Sequence, residues 1–353
     1  MSYEIGIAEN YKDLLERLKD FISNPDREIE SGDDSISELV PIDSDIGSGE
    51  TSQAWVIDRW NTNYDAAGSY EMIAHGPGST ATDKIYIGIQ TYFNAGTGYY
   101  NWRMAGFTGY THGDGIIPLF ANQSGCTTGR WPRMLMQNQP SNYWFVANGR
   151  RIIVVVEISS VYECCYLGFG LPYGLPTQFP YPLVIGGSSP ADSSHLFSSV
   201  FSEHRSFMNP SGPSVAGVCD SVTSDSGNSS TLKVLQGTSW INFCNRTGTT
   251  RYFVNNVWPF NSVVTEMVGV GWWWSKIKAN IDNSFPLFPC VMVLSSPTNH
   301  IYGELQGCFA LPGYTGAINV SPKDTIEIDG ITYIIFPTVN NAARDDFWAL
   351  KME

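Results

Sequence analysis

The sequence predicts a mainly β protein: an antiparallel sandwich or barrel-like body with long loops, preceded by a short N-terminal amphipathic helix. Three observations predict it. Apolar residues alternate with period two in several short runs, as half-buried strands require. Turn pairs, Asn148-Gly149 and Asp329-Gly330 among them, punctuate those runs. A single segment carries apolar residues at helical spacing instead.

That segment covers residues 10–23. Tyr11, Leu14, Leu15, Leu18 and Ile22 fall on one stripe, Asn10 is placed to cap the first turn, and Asn24-Pro25 ends it. A helix this short is marginal in water alone, so its stripe must dock, on its own body or on a neighbouring chain. Residues 1–23 are therefore expected to form a docking helix.

Residues 24–53 follow as an acidic Gly/Ser-rich linker, with Asp26, Glu28, Glu30, Asp33, Asp34, Glu38, Asp43, Asp45 and Glu50 against the single base Arg27. Residues 54–353 read as the β-rich body, with two subdomains expected if it divides near 188–230. Strands are expected at 54–60, 70–74, 84–93, 143–147, 151–158 and 161–169. In the fifth of these, Ile152, Val154, Val156 and Ile158 face one way and Ile153 and Val155 the other. Both faces are apolar, as in a central strand covered on both sides. The segments 172–187 and 188–230, rich in Pro and Gly and then in Ser and Gly, read as long surface loops. Strands resume at 231–235, 239–243, 251–254, 291–294 and 309–311. The hairpin 325–328 with 331–336 around Asp329-Gly330 is the clearest. The tail from 345 onward holds Phe347, Trp348 and Leu350, which need a surface to cover them.

Composition narrows the function. The 353 residues carry 34 acidic and 20 basic side chains, a net charge of -14, which disfavours wrapping nucleic acid. No stretch reaches the roughly 18 apolar residues of a spanning helix, and the N-terminus lacks the basic flank and apolar core of a signal peptide. Charged residues make up only 15% and aromatics 13%, so part of the exterior is expected to lie against other molecules. The seven cysteines have no Cys-x-x-Cys spacing and read as buried thiols.

No motif for phosphate cradling, zinc-dependent hydrolysis or a serine nucleophile occurs. His112-Gly113-Asp114 reads as a turn, and His195, Glu203 and His204 lack ligand spacing. No catalytic, cofactor or metal residue is assigned. Paired carboxylates for glycan hydrolysis cannot be read from sequence, and that class is set aside. Tyr99, Tyr100, Trp102, Phe107 and Tyr110 form one aromatic group, and Trp272, Trp273 and Trp274 another. Such rings anchor protein interfaces and, less often, grip sugars. Arg150 and Arg151, with Arg103, Arg130 and Arg133, are basic enough to link an acidic partner. The interface candidates are Tyr11, Leu14, Leu15, Leu18, Ile22, Trp272, Trp273, Trp274, Phe347, Trp348 and Leu350.

Several stretches together carry a resemblance: residues 11–15 (YKDLL), 83–89 (DKIYIGI), 99–102 (YYNW), 143–151 (YWFVANGRR), 166–182 and 344–350 (RDDFWAL). As a set they resemble a family of uncharacterised virion proteins of tailed bacteriophages and their prophages. The resemblance implies a structural subunit of tail or baseplate, made in the host bacterial cytoplasm and built into the virion. Its expected partners are copies of itself and other virion proteins, with no cofactor. A neck or capsid-surface subunit is the first alternative, and a glycan- or receptor-binding module with aromatic-lined loops the second.

Overall fold

The computed structural model describes residues 2–30, 33–42, 53–78, 85–94, 96, 98–112, 119–129, 131–174, 183–188, 207–208, 231–243, 256–258, 285–294, 300–312, 320–337 and 346–352. Mainly β is the observed class. The described strands form three antiparallel sheets, none of them closed, so the body is a layered sandwich and not a barrel.

The central sheet has eight strands. Its middle is the meander β8 (Ser141–Asn148), β9 (Arg151–Ile158) and β10 (Val161–Phe169). One flank continues through β12 (Leu183–Gly186), β13 (Leu232–Gln236) and β14 (Ser239–Phe243). The other flank adds β1 (Ser2–Ala8) and then β2 (Ile36–Val40). Two-residue loops join the meander, since Asn148 pairs with Arg151 and Ile158 with Val161. Asn148 Oδ1 accepts from the amides of Arg150 and Arg151, which ties the first turn.

A five-stranded sheet packs on one face of this layer: β3 (Val56–Asn61), β4 (Glu71–Gly76), β5 (Ile85–Asn94), β6 (Tyr99–Phe107) and β7 (Arg133–Met136), in sequence order. A third sheet covers the opposite face. It runs β15 (Asn256–Trp258), β16 (Phe288–Leu294), β17 (His300–Pro312), β20 (Asp346–Lys351), β19 (Ile331–Pro337) and β18 (Thr325–Ile328), with the short β11 (Leu171–Pro172) paired to β17.

Two cores follow from the pleat of the central sheet. Ile152, Val154, Val156 and Ile158 join Met72, Ile87, Ile89 and Met104 of the five-stranded sheet. Ile153 and Val155 join Cys290, Phe336, Trp348 and Leu350 of the third sheet. The double-faced apolar pattern of β9 thus marks the middle strand of three layers. At the far hairpin, Ile328 pairs with Ile331 and both Asp329 and Gly330 have positive φ, as a two-residue Asp-Gly turn demands.

The helix α1 (Tyr11–Ser23) forms where its spacing places it. Asn10 Oδ1 caps the amides of Lys12 and Asp13, and the Asp13 carboxylate returns to the amide of Glu9. Its stripe lies between the central and five-stranded sheets, in their shared core.

Several expectations are corrected. The first residues are strand before they are helix, because Tyr3, Ile5 and Ile7 alternate with Ser2, Glu4 and Gly6. The described part of the expected linker 24–53 is not free: β2 lies within residues 33–42, and Ile36 and Ile42 are buried. Arg27 is pinned to the buried Glu4 carboxylate at 2.6 Å. The C-terminal residues are a paired strand of the third sheet. Residues 172–187 include β12, since Leu183, Val184 and Ile185 pack into the two cores. The expected strand at 251–254 and most of 188–230 lie outside the described residues.

Candidate assembly surface

Most of the sequence-derived interface residues are consumed by the fold. Tyr11, Leu14, Leu15, Leu18 and Ile22 are all at most 4% exposed, covered by the chain's own two sheets. The Tyr11 ring lies 5.4 Å from Tyr100, and Phe21 stacks on Phe145. Trp348 and Leu350 are buried in the second core, and Phe347 is half-buried beside them. Apart from the half-buried Phe347, these side chains are covered by the chain's own sheets. Trp272, Trp273 and Trp274 lie outside the described residues. The other aromatic group splits by strand alternation: Trp102 faces the helix, while Phe107 faces outward and meets Phe120 edge-on at 5.0 Å. Gly88 leaves the space that Phe120 fills, where any Cβ would collide with its ring.

The basic residues also regroup. Arg151 is buried and donates to Gln306 Oε1, and its burial lowers the pKa of its guanidinium. Arg103 and Arg133 stand in register with Glu71 and Gln90 on the outer face of the five-stranded sheet. There Arg59 Nε lies 2.7 Å from Glu71 Oε1. Arg103 Nε donates to Gln90 Oε1 at 2.7 Å, and Gln90 Nε2 donates to the other Glu71 oxygen. Tyr110, Tyr92 and Trp131 lie beside the guanidinium planes of Arg59, Arg103 and Arg133. Glu71 and Gln90 are below 5% exposed. The row is a polar stitch joining four strands, drawn from residues far apart in sequence.

Each of three buried carboxylates is held in this way. Glu4 accepts from Tyr143 Oη at 2.6 Å and from Arg27, Glu71 accepts from Gln90 and forms an ion pair with Arg59, and Glu163 accepts from Ser188. The proximity of Glu4 pushes the Tyr143 hydroxyl up, added to the larger effect of burial. Among the described residues, no three His, Cys, Asp or Glu side chains converge as metal ligands, and no helix is long and apolar enough to cross a membrane.

One sheet end that the fold leaves outward is the β2 end of the central sheet. β2 pairs with β1 on one side, and on its other side no described strand pairs with it. Ile7, Ile29 and Val40 are exposed by 44%, 42% and 39%. Tyr3 and Ile5 are only partly covered beside them. Glu38 is exposed on β2 itself, and Asp26, Glu28, Glu30 and Asp34 are exposed in the segment that leads into it. Tyr3 Oη donates to Glu38 Oε1 at 2.5 Å, which lifts the tyrosine pKa to about 12. Gly6 marks the bulge between β1 and β2, where a side chain would strike Tyr143 and the Ser35 carbonyl.

Sequence reading missed this surface because it took the acidic tract as linker. The available signal was the alternation of Tyr3, Ile5 and Ile7, followed by Ile36 and Val40 spaced as a second short strand.

No family model matches this chain. No curated protein matches its sequence either.

Proposed function

We propose that this chain is a structural subunit of a tailed-phage virion, in the tail or baseplate, and that it assembles through the β2 edge. The observation that carries this reading is the strand β2, which pairs on one side only among the described residues and holds the exposed Val40 and Glu38, with exposed Ile7 on the neighbouring β1. A strand edge offers a row of backbone donors and acceptors, and an extended segment of another protein can extend the sheet there. Pairing β2 with β2 of a second copy would bring two acidic segments together. The edge therefore fits a partner segment carrying Lys or Arg. The layered body supports the same role, since its two cores are filled by its own side chains and leave the strand edges for contact. The phage resemblance supplies the particle. A neck or capsid-surface station draws on the same edge.

The test is incorporation. Ile7→Lys with Val40→Lys places charge on the strip without touching either core. Particles assembled with this variant are expected to lose the subunit by quantitative gel, while its melting temperature stays at the wild-type value. Wild-type copy number in the particle would overturn the proposal. A map of intact particles by cryo-electron microscopy would show which protein covers β2.

A further inference from the structure

Two thiols meet in the second core. In the third sheet Phe288 pairs with Ala310 and Pro289 with Phe309. One residue beyond the Pro289–Phe309 pair on each strand stand Cys290 and Cys308, and there the register breaks, because the next pair is Val291 with Glu304. Cys290 alone on β16 spans what residues 305–308 span on β17. Both side chains point into the same core and are at most 1% exposed. Both are free thiols. They lie close enough that ionising Cys308 would push the Cys290 thiol up further.

Opposed residues of antiparallel strands have Cα atoms about 4.5–5.5 Å apart, inside the range of about 4.4–6.8 Å that a disulfide spans, and Cys290 and Cys308 each adjoin the last such pair before the bulge. We propose that Cys290 and Cys308 are a disulfide-forming pair, a covalent staple across β16 and β17 that closes under oxidising conditions. The oxidant is a low-molecular-weight disulfide such as oxidised glutathione. One protein thiolate attacks it, forming a mixed disulfide and releasing one small thiol. The second protein thiolate then attacks the mixed disulfide at the protein sulfur, forming the Cys290–Cys308 bond and releasing the second small thiol. Two protein thiols are oxidised and one small disulfide is reduced.

Location sets the timing. Burial raises both thiols, Cys308 to about 12, so neither is an appreciable thiolate at neutral pH in the folded chain. The exchange therefore runs while the third sheet is forming or transiently open, and stays shut to reagents afterwards. The staple sits where the ladder is weakest. Gly307, with φ 90, turns the chain there against the Arg151 guanidinium. A reducing compartment leaves the pair open, and an oxidising medium closes it. This inference is independent of the assembly reading, because it concerns thiols and not particles.

The experiment refolds the full reduced chain in glutathione buffers of rising oxidised fraction. Thiols are then counted after denaturation, and linked peptides mapped by mass spectrometry. The wild type is expected to fall from seven thiols to five, with one linked peptide joining Cys290 and Cys308. Cys308→Ser is expected to keep all six of its remaining thiols under the same buffers. Seven thiols retained by refolded wild type at the most oxidising ratio would overturn the proposal. So would linkages that leave Cys290 and Cys308 free. Near-ultraviolet circular dichroism against the reduced native protein establishes that the counted material is folded. A bridge found in folded material that melts below the reduced protein would likewise overturn the staple.

Discussion

The indole Nε1 of Trp102 donates to the backbone carbonyl of Tyr11 at 2.7 Å, with both residues buried. This bond ties the first turn of the helix to the middle of the five-stranded sheet. The helix is closed at its other end too, where the Trp55 amide donates to the Ile22 carbonyl at 2.8 Å. Replacing Trp102 with Phe removes the donor and leaves a void beside the helix. The expected cost is about 2–4 kcal/mol, read as a lower denaturation midpoint with an unchanged slope. A change of less than about 0.5 kcal/mol would mean that the helix is not anchored there.

The helix stripe is core. Leu14→Asp or Leu18→Asp puts a carboxylate among Phe145, Tyr143 and the sheet residues that enclose the stripe. The sequence left open whether the stripe docks on its own body or on a neighbouring chain, and only the second would let such a change spare the β-body. The structure shows the first. The cost of an unpaired buried charge is comparable to a domain's whole stability of about 5–15 kcal/mol. Each variant is expected to be unfolded or insoluble by circular dichroism, whereas Ile7→Lys folds normally.

The polar stitch yields a coupled pair. Glu71→Ala leaves Arg59 buried without its carboxylate, at an expected cost of about 3–5 kcal/mol. Arg59→Met together with Glu71→Met replaces the pair by apolar volume. It is expected to cost clearly less than Glu71→Ala alone. Chemical denaturation of both variants checks this, and a double variant less stable than the single would refute the pairing.

Stability should fall in alkali. Cys165, Cys290 and Cys308 are buried, and burial raises all three thiols. The unfolded thiols release protons near pH 8.5 while the folded ones keep them, so the unfolded state gains above that pH. Lys233 runs the other way. Burial lowers it from 10.5 to about 8, so its contribution improves as pH rises between those values. The raised thiols outnumber the one lowered lysine, so the net effect is a loss of stability between pH 9 and 10. Denaturant titrations under reductant from pH 7 to 10 measure it. A flat profile would show that these thiols titrate normally in the fold.

Local grammar was legible in the chain. The Asn10 cap, the helix stripe, the Asp329-Gly330 hairpin and the two-sided β9 are short-range patterns, and each appears where its spacing puts it. The surface was not legible. An acidic, Gly/Ser-rich tract offers few apolar anchors, so only the partner strand β1 reveals that residues 36–40 pair. The Arg59, Glu71, Gln90 and Arg103 network is equally hidden, because four strands contribute one residue each.

The sequence by itself determined that β-strands dominate, that one capped helix stands near the start, and that its stripe has to be covered. It determined this because alternation, capping and turn chemistry act over a few residues. What covers the stripe was decided only by the tertiary structure. Its own two sheets leave a slot of the right width, and burying the stripe there costs less ordering than recruiting a second molecule. The same closure left β2 at the end of its sheet, since pairing between distant segments depends on which edges the folded layers have already used.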